Sequence, residues 1–309
     1  MRTIPALAVS AVLLASLTAC AGGPFAAGCT PFATAGAASA LVTAEGAVGD
    51  TPVVKFPTPI VSEGIEAQAL VVGDGVAARM GDTVAIKYSL FNAATGGPIG
   101  SSGYAHGGDY FTLGASNAND VVSDGLECAT VGSRIAIVAS ALAVHGGQGD
   151  ASVGVGPDDS IVYVIDVVDA FPGKANGAPQ APAADLPAVV TAPNGTPGIT
   201  IPRTSAPTDV TVALLQTGSG DVLAAGDRVL LKYTAVAWET GRVLSSTWAN
   251  GQSTIVPLDD SGTLPSGVVA GLVGKTVNSQ VLIVVPRGEG GSSDSTLVYV
   301  VDVLGIIPQ

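Results

Sequence analysis

Short segments in which apolar and polar residues alternate recur along the chain. In VLLKY at 229–233 the first, third and fifth residues share one face of an extended strand, and all three are apolar or aromatic. VAIKY at 84–88 has the same arrangement. Four longer runs are rich in valine and isoleucine, which favours strands over helices; they lie at 135–144, 161–168, 281–285 and 297–304. The pattern predicts a mainly antiparallel β protein.

These segments belong to an internal repeat. GDTVAIKYSLFNAATGGPIGSSG at 81–103 aligns without a gap with GDRVLLKYTAVAWETGRVLSSTW at 226–248. Two later blocks also match: GLECATVGSRIAIVAS with GLVGKTVNSQVLIVVP, and DSIVYVIDVVD with DSTLVYVVDVLG. Because 309 residues can form two cores, we predict two copies of one domain, at 52–171 and 198–309.

Each copy is predicted to contain one short helix. Pro265 followed by SGVVAGL is a helix start signal that leads into a turn or two of apolar residues. The predicted helices lie at 123–128 and 266–272. The resulting fold class is α+β, with a mainly antiparallel sheet of about five strands wrapped on one short helix in each copy.

The segments outside the two copies differ from them in composition. Residues 1–20 predict an export signal, because Arg2 precedes an apolar stretch that ends in LTAC. That ending resembles the lipobox of bacterial lipoproteins, in which the cysteine, here Cys20, carries a lipid; a plain signal peptide is the alternative. Residues 21–51 are rich in Gly, Ala, Ser and Thr and predict a flexible tether. Residues 172–197, rich in Pro, Ala and Gly, predict a semi-extended linker.

Composition narrows the function classes. A net charge of -13 disfavours a nucleic-acid partner, because the phosphate backbone is also negative. After residue 20 no apolar run approaches the ~18 to 20 residues that cross a bilayer. Neither the two histidines nor the three cysteines have the spacing of a metal site, and no cofactor is indicated. Cys29 and Cys128 are a candidate disulfide in an exported protein, with two buried free thiols as the alternative.

The order of motifs in each copy resembles the FKBP-type peptidyl-prolyl isomerases. That family has a Gly-x-Gly, a Gly-Asp before a strand with a tyrosine, a Phe-Asp-Ser-Ser, a helix, a Val-Gly and a closing strand with an aromatic residue. The matching positions are Gly73-Asp74-Gly75, Gly81-Asp82, Tyr88, Val131-Gly132 and Tyr163 in the first copy, and Gly218-Ser219-Gly220, Gly226-Asp227, Tyr233, Val277-Asn278 and Tyr299 in the second.

This resemblance implies an apolar pocket that binds proline-containing polypeptides. Its candidate residues are Tyr88, Ile99, Val122, His145 and Tyr163 in the first copy, and Tyr233, Leu244, Trp248, Val268 and Tyr299 in the second. The Phe-Asp pair of the family is replaced by Ile99-Gly100 and by Leu244-Ser245. No catalytic residue is therefore assigned.

Several of these candidate residues could instead have a purely structural role. The tyrosines are also typical packing residues of a β core. His145, near Asp150, is either an acid–base group or a solvated loop residue, and Trp248 either binds proline or covers a sheet edge. For the whole chain, the first hypothesis is an exported isomerase, lipid-anchored at the outer face of the bacterial cytoplasmic membrane, that assists folding. The second is a non-catalytic FKBP-like binding or chaperone module, and the third is a structural envelope protein.

Overall fold

The computed structural model describes residues 28–116, 120–259, 261–288 and 295–308. The predicted signal and Cys20 lie outside these residues. Two units of the same topology follow each other along the chain, and we call them domain 1 and domain 2. Within the described part of the chain, no helix is long and apolar enough to cross a membrane.

Domain 1 is an antiparallel sheet with two helices. Its elements are β3 (Ile65–Val71), β4 (Thr83–Asn92), β5 (Pro98–Ser101), β6 (Asp109–Thr112), α1 (Asp120–Leu126), β7 (Arg134–Ala139), α2 (Ala141–His145) and β8 (Ile161–Phe171); β1 (Thr43–Glu45) and β2 (Val53–Lys55) form a hairpin before it. The strand order is β3-β7-β8-β4-β5, and β6 also pairs with β4. The sheet has six strands rather than about five, because two short strands share one edge of the ten-residue β4.

Domain 2 repeats this arrangement. A hairpin of β10 (Ala188–Thr191) and β11 (Pro197–Thr200) precedes β12 (Thr211–Thr217), β13 (Arg228–Ala237), β14 (Val243–Ser246), β15 (Thr254–Pro257), α3 (Ser266–Leu272), β16 (Gln280–Val285) and β17 (Leu297–Ile307). A further short strand, β9 (Ala178–Pro179), comes from the segment before this hairpin. The strand order is β14-β13-β17-β16-β12-β9, and β15 also pairs with β13.

One helix in each domain packs on one face of the sheet. α3 has the predicted bounds, whereas α1 begins and ends earlier than predicted. A glycine lets each helix approach its sheet closely: a Cβ on Gly271 would lie 2.9 Å from Ile283, and one on Gly125 would overlap Ile137. The prediction of a strand over 135–144 is wrong at its end, because the Ser140 side chain accepts a hydrogen bond from the Ala143 N–H and caps α2.

Both faces of each sheet are buried. The helix-side core of domain 1 contains Val84, Ile86 and Ile137, while Ala136, Val138 and Val162 point to the opposite face. That opposite face is covered by apolar residues from the segments before the domains. These are Ala38, Val42, Ala44, Val54 and Phe56 in domain 1, and Leu186, Val189, Ile199 and Ile201 in domain 2.

The covering segments overturn two predictions. Residues 28–51 are not a flexible tether, because Thr43–Glu45 pairs with Val53–Lys55 and the hairpin packs on the sheet. Residues 172–197 are not simply an extended linker, since Ala178–Pro179 pairs with β12 and Ala188–Thr191 pairs with Pro197–Thr200. The physical reason is that the sheets are apolar on both faces, and among the described residues these segments exclude water from the second face.

The two domains contact each other through a small apolar cluster. Phe171 of domain 1 packs with Leu230, Leu304 and Ile307 of domain 2. Gly305 permits this contact, because a Cβ there would overlap the Phe171 ring. A hydrogen bond of 2.9 Å between the Thr83 and Ser253 hydroxyls crosses the same boundary.

Candidate functional site

Domain 1 contains a cavity on the helix side of its sheet. The cavity has a volume of about 120 Å³ and is lined by Ile86, Tyr88, Leu90, Phe111, Val122, Tyr163 and Ile165. Three of these residues are alternate positions of β4 and two are alternate positions of β8, so all five point to one face. Phe111 comes from β6 and Val122 from α1. The result is an apolar cavity between a sheet and a short helix.

A polar group stands at the rim of this cavity. The Tyr88 hydroxyl interacts with the carboxylate of Asp109, the first residue of β6. Burial, and then the negative charge of Asp109, raise the pKa of Tyr88. The hydroxyl therefore stays protonated at neutral pH and remains a hydrogen-bond donor.

The structure separates the predicted candidates of domain 1 into two groups. Tyr88, Val122 and Tyr163 line the cavity. Ile99 packs against the edge of the same core, at the point where the register between β4 and β5 shifts. His145 ends α2 and is half-buried, and it is not among the lining residues.

Several site residues were missed from the sequence. Ile86, Leu90 and Ile165 are two positions from a predicted tyrosine, so strand alternation contains the signal for them. Phe111 and Asp109 had no such signal, because β6 was not predicted as a separate strand and its pairing with β4 is a tertiary contact.

Domain 2 presents related residues in a different arrangement. The Tyr233 and Tyr299 rings lie 5.9 Å apart, and the Tyr233 hydroxyl is 3.3 Å from that of Ser245. Tyr299 and Val268 are buried in the helix-side core, and Leu244 is 41% exposed. Strand pairing matches Val256, Ala235 and Thr254 to Phe111, Leu90 and Asp109. Domain 2 therefore has smaller side chains, and no carboxylate, at these three positions.

Trp248 lies on the other side of the domain 2 sheet. Its ring is 4.9 Å from the Lys232 ammonium group. Lys232 precedes Tyr233 in β13, so the two side chains point to opposite faces. On that face the Trp248 ring contacts the linker, where a Cβ on Gly195 would meet it. Trp248 thus covers the sheet face remote from Tyr233.

The buried Tyr299 gives domain 2 a measurable pH response. Burial, and secondarily Tyr233, raise the pKa of Tyr299 from 10.0 to about 12. Between these values the native state keeps a proton that the unfolded chain releases, so the free energy of unfolding falls as the pH rises from 10 to 12. We expect Tyr299→Phe to make this fall less steep while leaving the slope near neutral pH unchanged, as measured by urea unfolding at several pH values. Equal slopes above pH 10 in the two proteins would contradict this assignment.

Together, the fold and site define a protein of two repeated α+β units, the first with an apolar cavity between its sheet and short helix. No protein-family model matches the chain. The chain is 30% identical over 116 residues to a probable FK506-binding protein of Corynebacterium glutamicum, covering 35% of this chain and 96% of that protein. It is 28% identical over 120 residues to an FK506-binding protein of Streptomyces anulatus, covering 36% and 96%. The chain therefore belongs to the FK506-binding protein (FKBP) family, as the resemblance of its motifs implied.

Two solved structures are also similar in part. One is the crystal structure of the three FKBP domains of wheat FKBP73, with 16% identity and a TM-score of 0.37 over 79% of this chain and 95% of that chain. The other is a peptidyl-prolyl cis-trans isomerase from Pseudomonas syringae pv. tomato, with 17% identity and a TM-score of 0.31 over 36% of this chain and 77% of that chain. Each curated relative corresponds in length to about one domain of this chain, which contains two such domains in tandem.

Proposed function

We propose that this protein is an exported, lipid-anchored peptidyl-prolyl cis-trans isomerase that assists the folding of proline-containing exported chains. Domain 1 is proposed as the catalytic copy. The observation that carries the proposal is its apolar cavity of about 120 Å³, which has the Tyr88 hydroxyl at the rim. A cavity of this size and lining suits a small apolar ring such as that of proline.

The proposed chemistry requires no covalent step. Rotation about an X-Pro bond has a barrier of ~18 to 20 kcal/mol, because amide resonance must be broken. An apolar cavity that holds the ring and excludes water favours the twisted, less polar amide over the planar one. The Tyr88 hydroxyl donates its hydrogen to Asp109, which orients it, and its oxygen can accept a hydrogen bond from a substrate N–H.

A second candidate function is a non-catalytic module that binds prolyl segments. The observation in its favour is that Ile99-Gly100 and Leu244-Ser245 stand where the family has its Phe-Asp pair, so neither copy has a carboxylate there. Domain 2 fits this role better than domain 1, since Thr254 takes the place of Asp109.

Export and anchoring are proposed from separate observations. Residues 1–20 have the form of a lipoprotein signal that ends at Cys20. The Cys29–Cys128 disulfide supports an oxidising compartment, because such bonds are rare in the reducing cytosol. We propose that a lipid on Cys20 holds the protein at the outer face of the bacterial cytoplasmic membrane, and that its two copies form domains at 52–171 and 198–309.

The isomerase proposal is tested by matched substitutions in the two domains. The chain without residues 1–21 is assayed for cis-trans isomerisation of a short X-Pro peptide. We expect Tyr88→Ala to lower kcat/KM about tenfold or more, because it removes a cavity wall and a hydrogen-bonding group worth about 1 to 3 kcal/mol. The same substitution at Tyr233 is expected to have little effect.

The alternative outcomes decide between the two functions. No acceleration by the wild-type protein would overturn catalysis. If the peptide then still bound, and Tyr88→Ala removed binding, the non-catalytic module would be the function. Equal loss from Tyr88→Ala and Tyr233→Ala would contradict the assignment of domain 1 as the active copy. The curated relatives are named for FK506, so competition by FK506 provides a second readout at the same cavity.

A further inference from the structure

The cavity of domain 1 adjoins a cleft between the two domains. Phe111 lines both the cavity and a cleft of about 350 Å³, whose other walls include Tyr110 and Thr112 of domain 1 and Gln252 and Ile255 of domain 2. Tyr110 in turn lines a further opening of about 520 Å³ that includes Asp109 and Arg228. β6 therefore separates the cavity from the cleft and contributes side chains to each.

The lining of the cleft is chemically suited to an extended polypeptide. Gln252 is half-buried and carries a side-chain amide, which offers the same donor and acceptor pair as a peptide group. Tyr110 and Ile255 provide apolar surface beside it. The cleft also has a fixed shape, because Thr112 Oγ1 accepts a hydrogen bond of 3.1 Å from the Ser253 N–H across the domain boundary.

Two opposite charges line the opening next to the cleft. Asp109 on β6 and Arg228 on β13 are both exposed and line the same opening. Arg228 is close enough to Tyr110 to oppose the increase that burial causes in the pKa of that tyrosine. Asp109 is on the cavity side of this opening, because it interacts with Tyr88, whereas Arg228 belongs to domain 2. These positions favour a basic residue near the proline and an acidic residue farther from it.

We propose that the cleft between the domains binds the residues of a substrate polypeptide that flank the proline held in the cavity of domain 1. This proposal rests on the proposed function, since the cavity must hold a prolyl ring for the flanking residues to reach the cleft. In this proposal domain 2 forms one wall of an extended polypeptide site, although its own residues at the positions of the domain 1 cavity are smaller.

The test compares two peptides on the chain without residues 1–21. One is an X-Pro tetrapeptide, and the other has twelve residues with the same tetrapeptide at its centre, a Lys beside it and a Glu farther away. Their dissociation constants are measured by calorimetry. We expect the long peptide to bind about tenfold more tightly, and Gln252→Ala/Arg228→Ala to reduce that ratio to about twofold. Gln180→Ala/Arg242→Ala, which changes the same residue types at exposed positions outside the cleft lining, is expected to keep the tenfold ratio.

Each other outcome has a definite meaning. If both peptides bind equally, or if the cleft variant keeps the tenfold ratio, the cleft proposal is overturned while the cavity proposal stands. If the tetrapeptide does not bind at all, the proposed function itself fails. Tight binding of the long peptide that survives Tyr88→Ala would show that the cleft binds peptide independently of the cavity, and would overturn the proposal.

Discussion

Loss of the Cys29–Cys128 disulfide is expected to lower the free energy of unfolding of domain 1 by about 4 to 5 kcal/mol. The two cysteines are 99 residues apart in the sequence, so the bond removes much of the freedom of the unfolded chain. It also fixes the segment that places Ala33 in the helix-side core, where the Ala33 N–H donates to the Asp124 carbonyl of α1. From the sequence, Cys29 and Cys128 could form either a disulfide or two buried free thiols. The structure contains the disulfide.

The two domains can be followed separately in this experiment. The only two tryptophans, Trp238 and Trp248, are in domain 2, so their fluorescence reports the unfolding of domain 2. Circular dichroism reports both sheets, and the transition that fluorescence does not follow belongs to domain 1. Cys29→Ala and the wild-type protein in reductant should show the same loss in domain 1. A loss below 1 kcal/mol in both cases, or a loss confined to domain 2, would contradict the prediction.

Replacement of Arg134 by alanine is expected to destabilise domain 1 by about 3 to 5 kcal/mol, because it leaves a buried carboxylate without its partner. The Arg134 and Asp166 side chains are fully buried and joined by two hydrogen bonds, of 2.6 and 2.7 Å. Arg134 also donates to the carbonyls of Gly46, Ala47 and Asp50 in the loop between β1 and β2. The change therefore also releases the covering segment from the sheet.

Domain 2 supplies the matched control for this substitution. Gln280 occupies the position of Arg134, and its amide donates to the buried Asp302 at 2.8 Å. Arg134→Gln should consequently cost less than Arg134→Ala, because it keeps a donor for Asp166. Urea unfolding followed by circular dichroism measures both variants, and hydrogen exchange at residues 43–55 reports release of the hairpin. Equal stability of Arg134→Ala and the wild-type protein would show that Asp166 is compensated by another group, such as water.

The two buried acidic residues explain why the covering segments are ordered. The Gly49 N–H donates to Asp166 at 2.7 Å, and the Ala175 N–H donates to Asp302 at 2.8 Å. In each domain a main-chain group from outside the repeat thus satisfies a carboxylate on the outer face of the sheet. A buried carboxylate without such donors would destabilise the fold. Asp166 and Asp302 therefore favour covering segments that place a main-chain N–H next to them.

The sequence by itself determined the repeat, most of the strands and one helix. Strand alternation placed Tyr88 and Tyr233 on an apolar face, and the motif order identified the FKBP family. Local sequence also gave α3 its bounds, since Pro265 and Ser266 act within one turn of the helix. These features depend on residues that are close together in the chain, so the local pattern contains the information needed to predict them.

Only the tertiary structure decided what covers the second face of each sheet and what surrounds the cavity. Composition predicted a flexible tether at 21–51 and a semi-extended linker at 172–197. The sheets are apolar on both faces, however, and burial of the second face outweighs the entropy lost in ordering the described parts of those segments. Phe111 and Asp109 reach Tyr88 through the pairing of β6 with β4, and Trp248 contacts Lys232 on the sheet face remote from Tyr233. Such contacts join residues far apart in the sequence, and no local period encodes them.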